Sequence, residues 1–160
     1  MKPVEFSARL PTPFGVVGVR TEGETVVEIV YLPGSAGTLA PRDRLAEVAC
    51  AQIVRYLEDP DFAFDLPLGP AGTRFQRRVW RLIAAIPRGR TRTYGELARA
   101  LESSPRPVGQ ACGSNRFPLA IPCHRVTAAS GIGGFAHHAE GFHVGVKRWL
   151  LQHEGVRLAA

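Results

Sequence analysis

The densest reactive chemistry in this chain lies in one short run, Ile121-Pro122-Cys123-His124-Arg125-Val126. The thiolate, not the thiol, is the nucleophile of cysteine chemistry. A neighbouring imidazole and guanidinium would favour the charged form. Pro122 fixes φ and removes a donor, so the chain can turn sharply at Cys123. The preceding Leu119-Ala120-Ile121 is apolar and suits burial. A cysteine without context is more often a small packing residue, and Cys50 and Cys112 are expected to be buried in that way. The Pro-Cys-His-Arg context sets Cys123 apart as a nucleophile. Three cysteines without CxxC spacing do not describe a disulfide framework. The five histidines do not complete a zinc pattern with them. The adjacent His137-His138 could suggest a metal, but a solvated loop pair is the expectation, and no metal site is assigned.

These residues need a scaffold. A chain of 160 residues, 45% hydrophobic, suits one compact unit or two small subdomains. It has no run of eighteen apolar residues, and its start lacks the apolar core of a signal peptide. No membrane association and a cytoplasmic location are the expectations. Charge divides the chain. Residues 1–70 hold 6 Lys/Arg and 10 Asp/Glu, net −4, whereas residues 71–160 hold 14 and 4, net +10. This asymmetry fits either a polyanion partner for the second half, nucleic acid first, or a solubilising surface.

The first forty residues read as β structure. Gly15–Arg20 and Thr25–Tyr31 are rich in β-branched residues, with Glu22-Gly23 as the turn. Apolar spacing predicts a helix over Pro41–Leu57. Residues 59–72, punctuated by Pro60, Pro67, Gly69, Pro70 and Gly72, form a boundary. This places a supporting domain at 1–70 and a second domain at 71–160. In the second, Thr73 caps a helix over Arg74–Ala85, and Thr93 caps another over Tyr94–Leu101. Ser103-Ser104-Pro105 leads into a third helix over Arg106–Ser114, with Pro107 in its first turn. Helix, turn and helix with basic flanks is a layout shared by helix-turn-helix DNA-binding elements and by many helical domains that bind nothing. Trp80 and Trp149 sit at helical spacing and are expected in the core.

Pro122-Cys123-His124-Arg125-Val126 resembles the active-site signature of the O6-alkylguanine-DNA alkyltransferases, or methylated-DNA–protein-cysteine methyltransferases. The resemblance extends over residues 73–155. Phe75-Gln76 with Val79-Trp80 is similar to the family's opening helix. Ile86-Pro87-Arg88-Gly89-Arg90-Thr91 resembles its following turn, and Thr93-Tyr94-Gly95-Glu96-Leu97-Ala98 its next helix start. Arg106-Pro107-Val108-Gly109 and Gly113-Ser114-Asn115 resemble the recognition helix and hinge. Lys147–Gly155 resembles the closing segment.

The resemblance implies an α+β fold: a small sheet with a helix, ribonuclease-H-like, followed by a helical, winged-helix-type domain. It implies transfer of an alkyl group from O6-alkylguanine in double-stranded DNA, with O4-alkylthymine as a second substrate, onto Cys123. His124 would withdraw the thiol proton through a water, Glu154 would orient His124, and Tyr94 would donate to the departing base. Arg106 would fill the stack vacated by a flipped base. Gly109, Ala111 and Gly113 would allow close approach to the minor groove, and Asn115 would tie that helix to the active-site turn. Val126, Phe135 and Lys147 would surround the substrate. Arg74, Arg77, Arg78, Arg81, Arg88, Arg90, Arg92 and Arg116 are candidate phosphate contacts, or solvated surface. The protein is its own acceptor, so the resemblance implies no cofactor, a single turnover and a monomer.

Three departures stand out. Phe135 lacks the hydroxyl that many relatives carry there, Pro107 replaces a more usual alanine, and the loop over Ala136–Gly145 is longer than in short relatives. An alkyltransferase-like sensor that binds lesions without repair is the alternative, which the presence of Cys123 opposes. A helix-turn-helix regulator does not require Pro-Cys-His-Arg. A cysteine hydrolase normally draws its base from a distant segment.

Overall fold

The structure is a computed structural model that describes residues 4–133 and 141–158. The fold is α+β, and the chain divides into two compact units, Met1–Ala71 and Gly72–Ala160. Among the described residues no helix is long and apolar enough to cross a membrane.

The first unit is an antiparallel meander of β1 (Ala8–Thr12), β2 (Gly15–Glu22) and β3 (Thr25–Leu32), in that order, with helix α1 (Arg44–Glu58) against it. Gly23 turns the β2–β3 hairpin at φ 60°, a left-handed value that glycine adopts without strain. The sequence gives no clear sign of β1 because Pro11 interrupts it; proline is tolerated there because β1 is an edge strand. The central strand β2 buries Val16, Val17 and Val19. At Gly18 a Cβ would lie 2.4 Å from the Phe6 ring, so a side chain there would have to displace that ring. Helix α1 begins three residues later than the apolar spacing suggests. Asp43 is its N-cap, accepting from Ala46 N–H at 2.8 Å and from the Thr21 hydroxyl at 2.6 Å. The expected boundary segment is partly built into the sheet. Val26 N–H donates to Pro67 carbonyl and Gly69 N–H to Val26 carbonyl, both at 2.8 Å.

The second unit holds α2 (Arg74–Ala84), α3 (Tyr94–Ala100), α4 (Pro105–Gly113) and α5 (Phe142–His153). Helices α2 and α3 start at capping boxes in which Thr73 with Gln76, and Thr93 with Glu96, exchange side-chain and backbone bonds. Helix α4 begins at Pro105 rather than Arg106, because a first-turn residue needs no N–H partner. It packs against α2 and α3. Trp80 is buried there as expected, its Nε1 donating to Ala111 carbonyl at 2.8 Å. Trp149 is only half-buried and stacks on His153 with centroids 4.8 Å apart. The loop expected to run to Gly145 ends sooner, since α5 starts at Phe142. Two short strands, β4 (Arg92–Thr93) and β5 (Val126–Thr127), pair in parallel with Arg92 opposite Val126. This pairing sets the start of α3 beside the segment that follows Cys123.

Candidate active site

Two backbone features deliver Cys123. Leu119 adopts φ 76° while buried, a conformation of order 1–3 kcal/mol above the usual minima. Pro122 then leads into a single 3-10 turn over Cys123–Arg125. Cys123 N–H donates to Ile121 carbonyl at 2.8 Å, and Arg125 N–H to Pro122 carbonyl at 2.9 Å. Asn115, just past α4, braces this approach. Its Nδ2 donates to Ile121 carbonyl at 2.8 Å, and its Oδ1 accepts from Phe117 N–H at 2.9 Å.

The thiol is 5% exposed, and burial raises its pKa to about 11. The Asn115 side chain and the Lys147 charge oppose that rise but do not offset it. The expectation that the adjacent guanidinium favours a thiolate is therefore corrected. Arg125 turns away to Glu154, with Nε donating to Oε1 at 2.8 Å and Nη2 to Oε2 at 3.1 Å. Its Nη1 donates to Ile86 carbonyl at 2.5 Å. This forked pairing fixes the plane of the carboxylate.

Glu154 is 0% exposed, at the C-cap of α5, and its Oε2 lies 2.7 Å from Nε2 of His124. His124 is 1% exposed. Burial holds its pKa below the ordinary histidine value despite the carboxylate, so the ring is neutral at physiological pH. A neutral ring beside a carboxylate carries its proton on the nitrogen facing that carboxylate. Nε2–H thus donates to Glu154, and Nδ1 keeps its lone pair. Nδ1 is buried and has no hydrogen-bond partner among the described residues. The result is a base whose accepting atom is set by an orienter on its other side.

Tyr94 is the first residue of α3 and is half-buried. Burial, then the charges of Cys112 and Cys123, push its pKa above the ordinary phenol value, so the hydroxyl keeps its proton and can offer it in a hydrogen bond. Lys147 is 0% exposed. Its Nζ donates to Val126 carbonyl at 2.6 Å and lies 5.7 Å from the centre of the Tyr94 ring. Burial lowers its pKa to about 8. Gly133, which the sequence does not single out, completes this wall. Its φ is 76°, and a Cβ there would sit 3.1 Å from Cε2 of Tyr94. Arg125 is the other residue whose part is visible only in the structure: it stands in the motif, but its partner lies 29 residues on.

The surface candidates fall less uniformly. Arg106 is exposed in the first turn of α4, and at Gly109 a Cβ would meet open space. Gly113 is half-buried where the helix ends. Ala111 is 2% exposed and faces the packing beneath α4, so its small size serves the fit of α4 on α2. Arg74, Arg77, Arg78, Arg81, Arg88, Arg90 and Arg116 are exposed, while Arg92 is half-buried 3.5 Å from Glu96. Cys50 and Cys112 are buried free thiols. Phe135, the His137-His138 pair and the loop residues 136–140 lie outside the described residues.

A buried thiol, an oriented neutral imidazole and a phenol donor together suit one displacement with a proton removed at one end and supplied at the other. The family model described as "6-O-methylguanine DNA methyltransferase, DNA binding domain" matches residues 74–156. The methylated-DNA–protein-cysteine methyltransferase of Methanosarcina acetivorans is 30% identical over 158 residues, covering 94% of this chain and 98% of that protein. A variant of the M. tuberculosis O6-methylguanine methyltransferase superposes with a TM-score of 0.75 at 31% identity, over 95% of this chain and 93% of the other. The Mycobacterium tuberculosis OGT crystallised with DNA gives 0.74 at 32% identity, over 92% and 91%.

Proposed function

The chain belongs to the 6-O-methylguanine DNA methyltransferase family, and from that premise we propose that Cys123 accepts the alkyl group in direct-reversal repair of O6-alkylguanine. Its work is a methyltransferase reaction on damaged DNA. The alkyl carbon leaves O6 and bonds to Sγ of Cys123. The thiol proton passes to Nδ1 of His124, through a water where the atoms are too far apart. Tyr94 donates to the departing base as its charge develops. Glu154 and Arg125 keep Nδ1 aimed, and Lys147 holds the Val126 carbonyl that faces the base. The product is a thioether, which has no leaving group for regeneration, so each chain reacts once.

The observation that carries this reading is the His124–Glu154 bond of 2.7 Å next to a thiol that cannot ionise unaided. A bare structural cysteine has no use for an oriented neutral imidazole.

The target atom is out of reach in a stacked duplex, and flipping it out costs a few kcal/mol. Arg106, exposed in the first turn of α4, fills the gap in the stack. Gly109 lets the helix approach the minor groove, with Gly113 at its end and Asn115 linking it to the catalytic turn. Residues 71–160 are the DNA-binding and catalytic domain, of winged-helix type, which the α3–α4 pair supports. Residues 1–70 are a supporting domain of ribonuclease-H-like type, which the meander with α1 supports. One thiol and one base suffice for the reaction, so a monomer acts on double-stranded DNA. O4-alkylthymine is a second substrate on the same logic.

Intact-protein mass spectrometry after incubation with a duplex holding one O6-methylguanine tests this. The expected result is a gain of one methyl group, mapped to Cys123, capped at one per chain and lost in Cys123→Ala. Tight lesion binding with no mass gain would move the protein to the sensor class.

A further inference from the structure

A cavity of about 420 Å³ lies in the Gly72–Ala160 unit, with no α4 residue in its lining. Arg148 of α5 and Arg157 beyond it line it, together with the hydroxyl-bearing Thr91, Thr127 and Ser130 and the apolar Leu151. Among the described residues neither arginine side chain makes a hydrogen bond or an ion pair, and none of the lining residues is acidic. Both arginines are exposed. Two arginine side chains beside three hydroxyl-bearing residues, with no carboxylate among the described lining residues, match an oxyanion with several acceptor atoms.

The place of the cavity narrows the source of that anion. One wall is the loop over 127–132, which joins Val126 to Gly133. Those two residues are the ones that touch Lys147 and Tyr94. Lys147 and Arg148 are consecutive on α5, yet the first is fully buried toward the site and the second is exposed, as a turn of about 100° per residue requires. The cavity and the site therefore share one loop, and a strand with one base in the site would have its adjoining phosphates within reach of that loop's far side.

We propose that this cavity is a phosphate-binding site for the DNA backbone, with Arg148 and Arg157 as its cations, separate from helix α4. The proposal rests on the functional reading above and adds to it a second grip on the duplex. It also singles out two arginines from a half-chain with 14 basic residues.

The test is the salt dependence of binding to an alkylated duplex for the wild type, Arg148→Ala, Arg157→Ala and the double variant. Arg44→Ala, an exposed arginine of the first unit, controls for loss of one charge. Each phosphate contact adds about 0.9 to the slope of log affinity against log salt. Each single variant should lower that slope by about one and the double variant by about two. Transfer from the free O6-methylguanine base should be unchanged in all of them, which also shows that they fold. Inorganic phosphate at constant ionic strength should compete with duplex for the wild type and less for the double variant. A double variant with the wild-type slope overturns the proposal, as does an equal loss in Arg44→Ala. Loss of free-base transfer overturns it too, since the arginines would then serve the fold or the catalytic site. A wild type that neither binds nor repairs duplex brings down the functional reading itself, and this one with it.

Discussion

The thiol that must become a thiolate sits where a thiolate is costly. Burial raises Cys123 to about 11, so near neutral pH only a trace is ionised in the resting protein. In the proposed mechanism His124 takes the proton as the bond forms, and burial keeps that imidazole neutral and able to do so. The sign of the pH dependence follows. In the wild type, transfer from the free modified base should hold level through neutral pH and fall only below the ordinary histidine range, where His124 finally gains a proton. In His124→Gln no base is present, and the rate should follow the thiolate fraction, rising about tenfold per pH unit toward a pKa of about 11. Single-turnover rates across pH for both proteins check this. Parallel profiles would mean that His124 does not take the proton.

At the scale of elements, two threonine caps look alike and do different work. Thr73 and Thr93 each accept from the N–H three residues on, at 3.1 Å, and each loses about 1 kcal/mol of stability on change to alanine. The residue after Thr93 is Tyr94, the proposed proton donor, whereas the residue after Thr73 is the exposed Arg74. Urea unfolding should show similar losses for Thr73→Ala and Thr93→Ala, while only Thr93→Ala slows transfer. Equal slowing in both would mean that stability alone governs the rate. These caps were legible in the sequence because a capping box is a local pattern, Thr-x-x-Gln or Thr-x-x-Glu ahead of an apolar stripe. The Pro-Cys-His-Arg run was legible for the same reason. What could not be read is set by contact between distant segments. The β4–β5 pair joins two residues at 92–93 to two at 126–127, too short to leave a pattern. Arg125 reaches Glu154, not the thiol beside it, and Gly133 matters only because a Tyr94 ring lies against it. Ala111 resembled a groove-facing small residue, but helical phase turns it inward beneath α4.

For the whole molecule the reaction is also a core mutation. Transfer adds a methyl group to a sulfur that is 5% exposed, beside a turn held by Leu119 in a strained conformation. An extra methylene-sized group in a packed site costs typically about 1–3 kcal/mol. The repaired-and-spent protein should therefore be less stable than the fresh one. Each 1 kcal/mol lowers Tm by roughly 2–4 °C if a chain of this length unfolds as one, and by roughly 4–8 °C for a unit of under 100 residues unfolding by itself. The loss belongs to the unit that holds Cys123, and the composition supplies a probe for it. Both tryptophans, Trp80 and Trp149, lie in Gly72–Ala160 and none lies in Met1–Ala71. Tryptophan fluorescence thus follows the Gly72–Ala160 unit alone, even where the two units do not unfold in one step. After one equivalent of methylated duplex, with the DNA removed, the fluorescence melt should move down by several degrees. Cys123→Ala carried through the same treatment should not move. An unshifted melt in the methylated wild type would mean that the site holds room for the methyl group in advance, and that the pocket is shaped for the product as well as for the thiol.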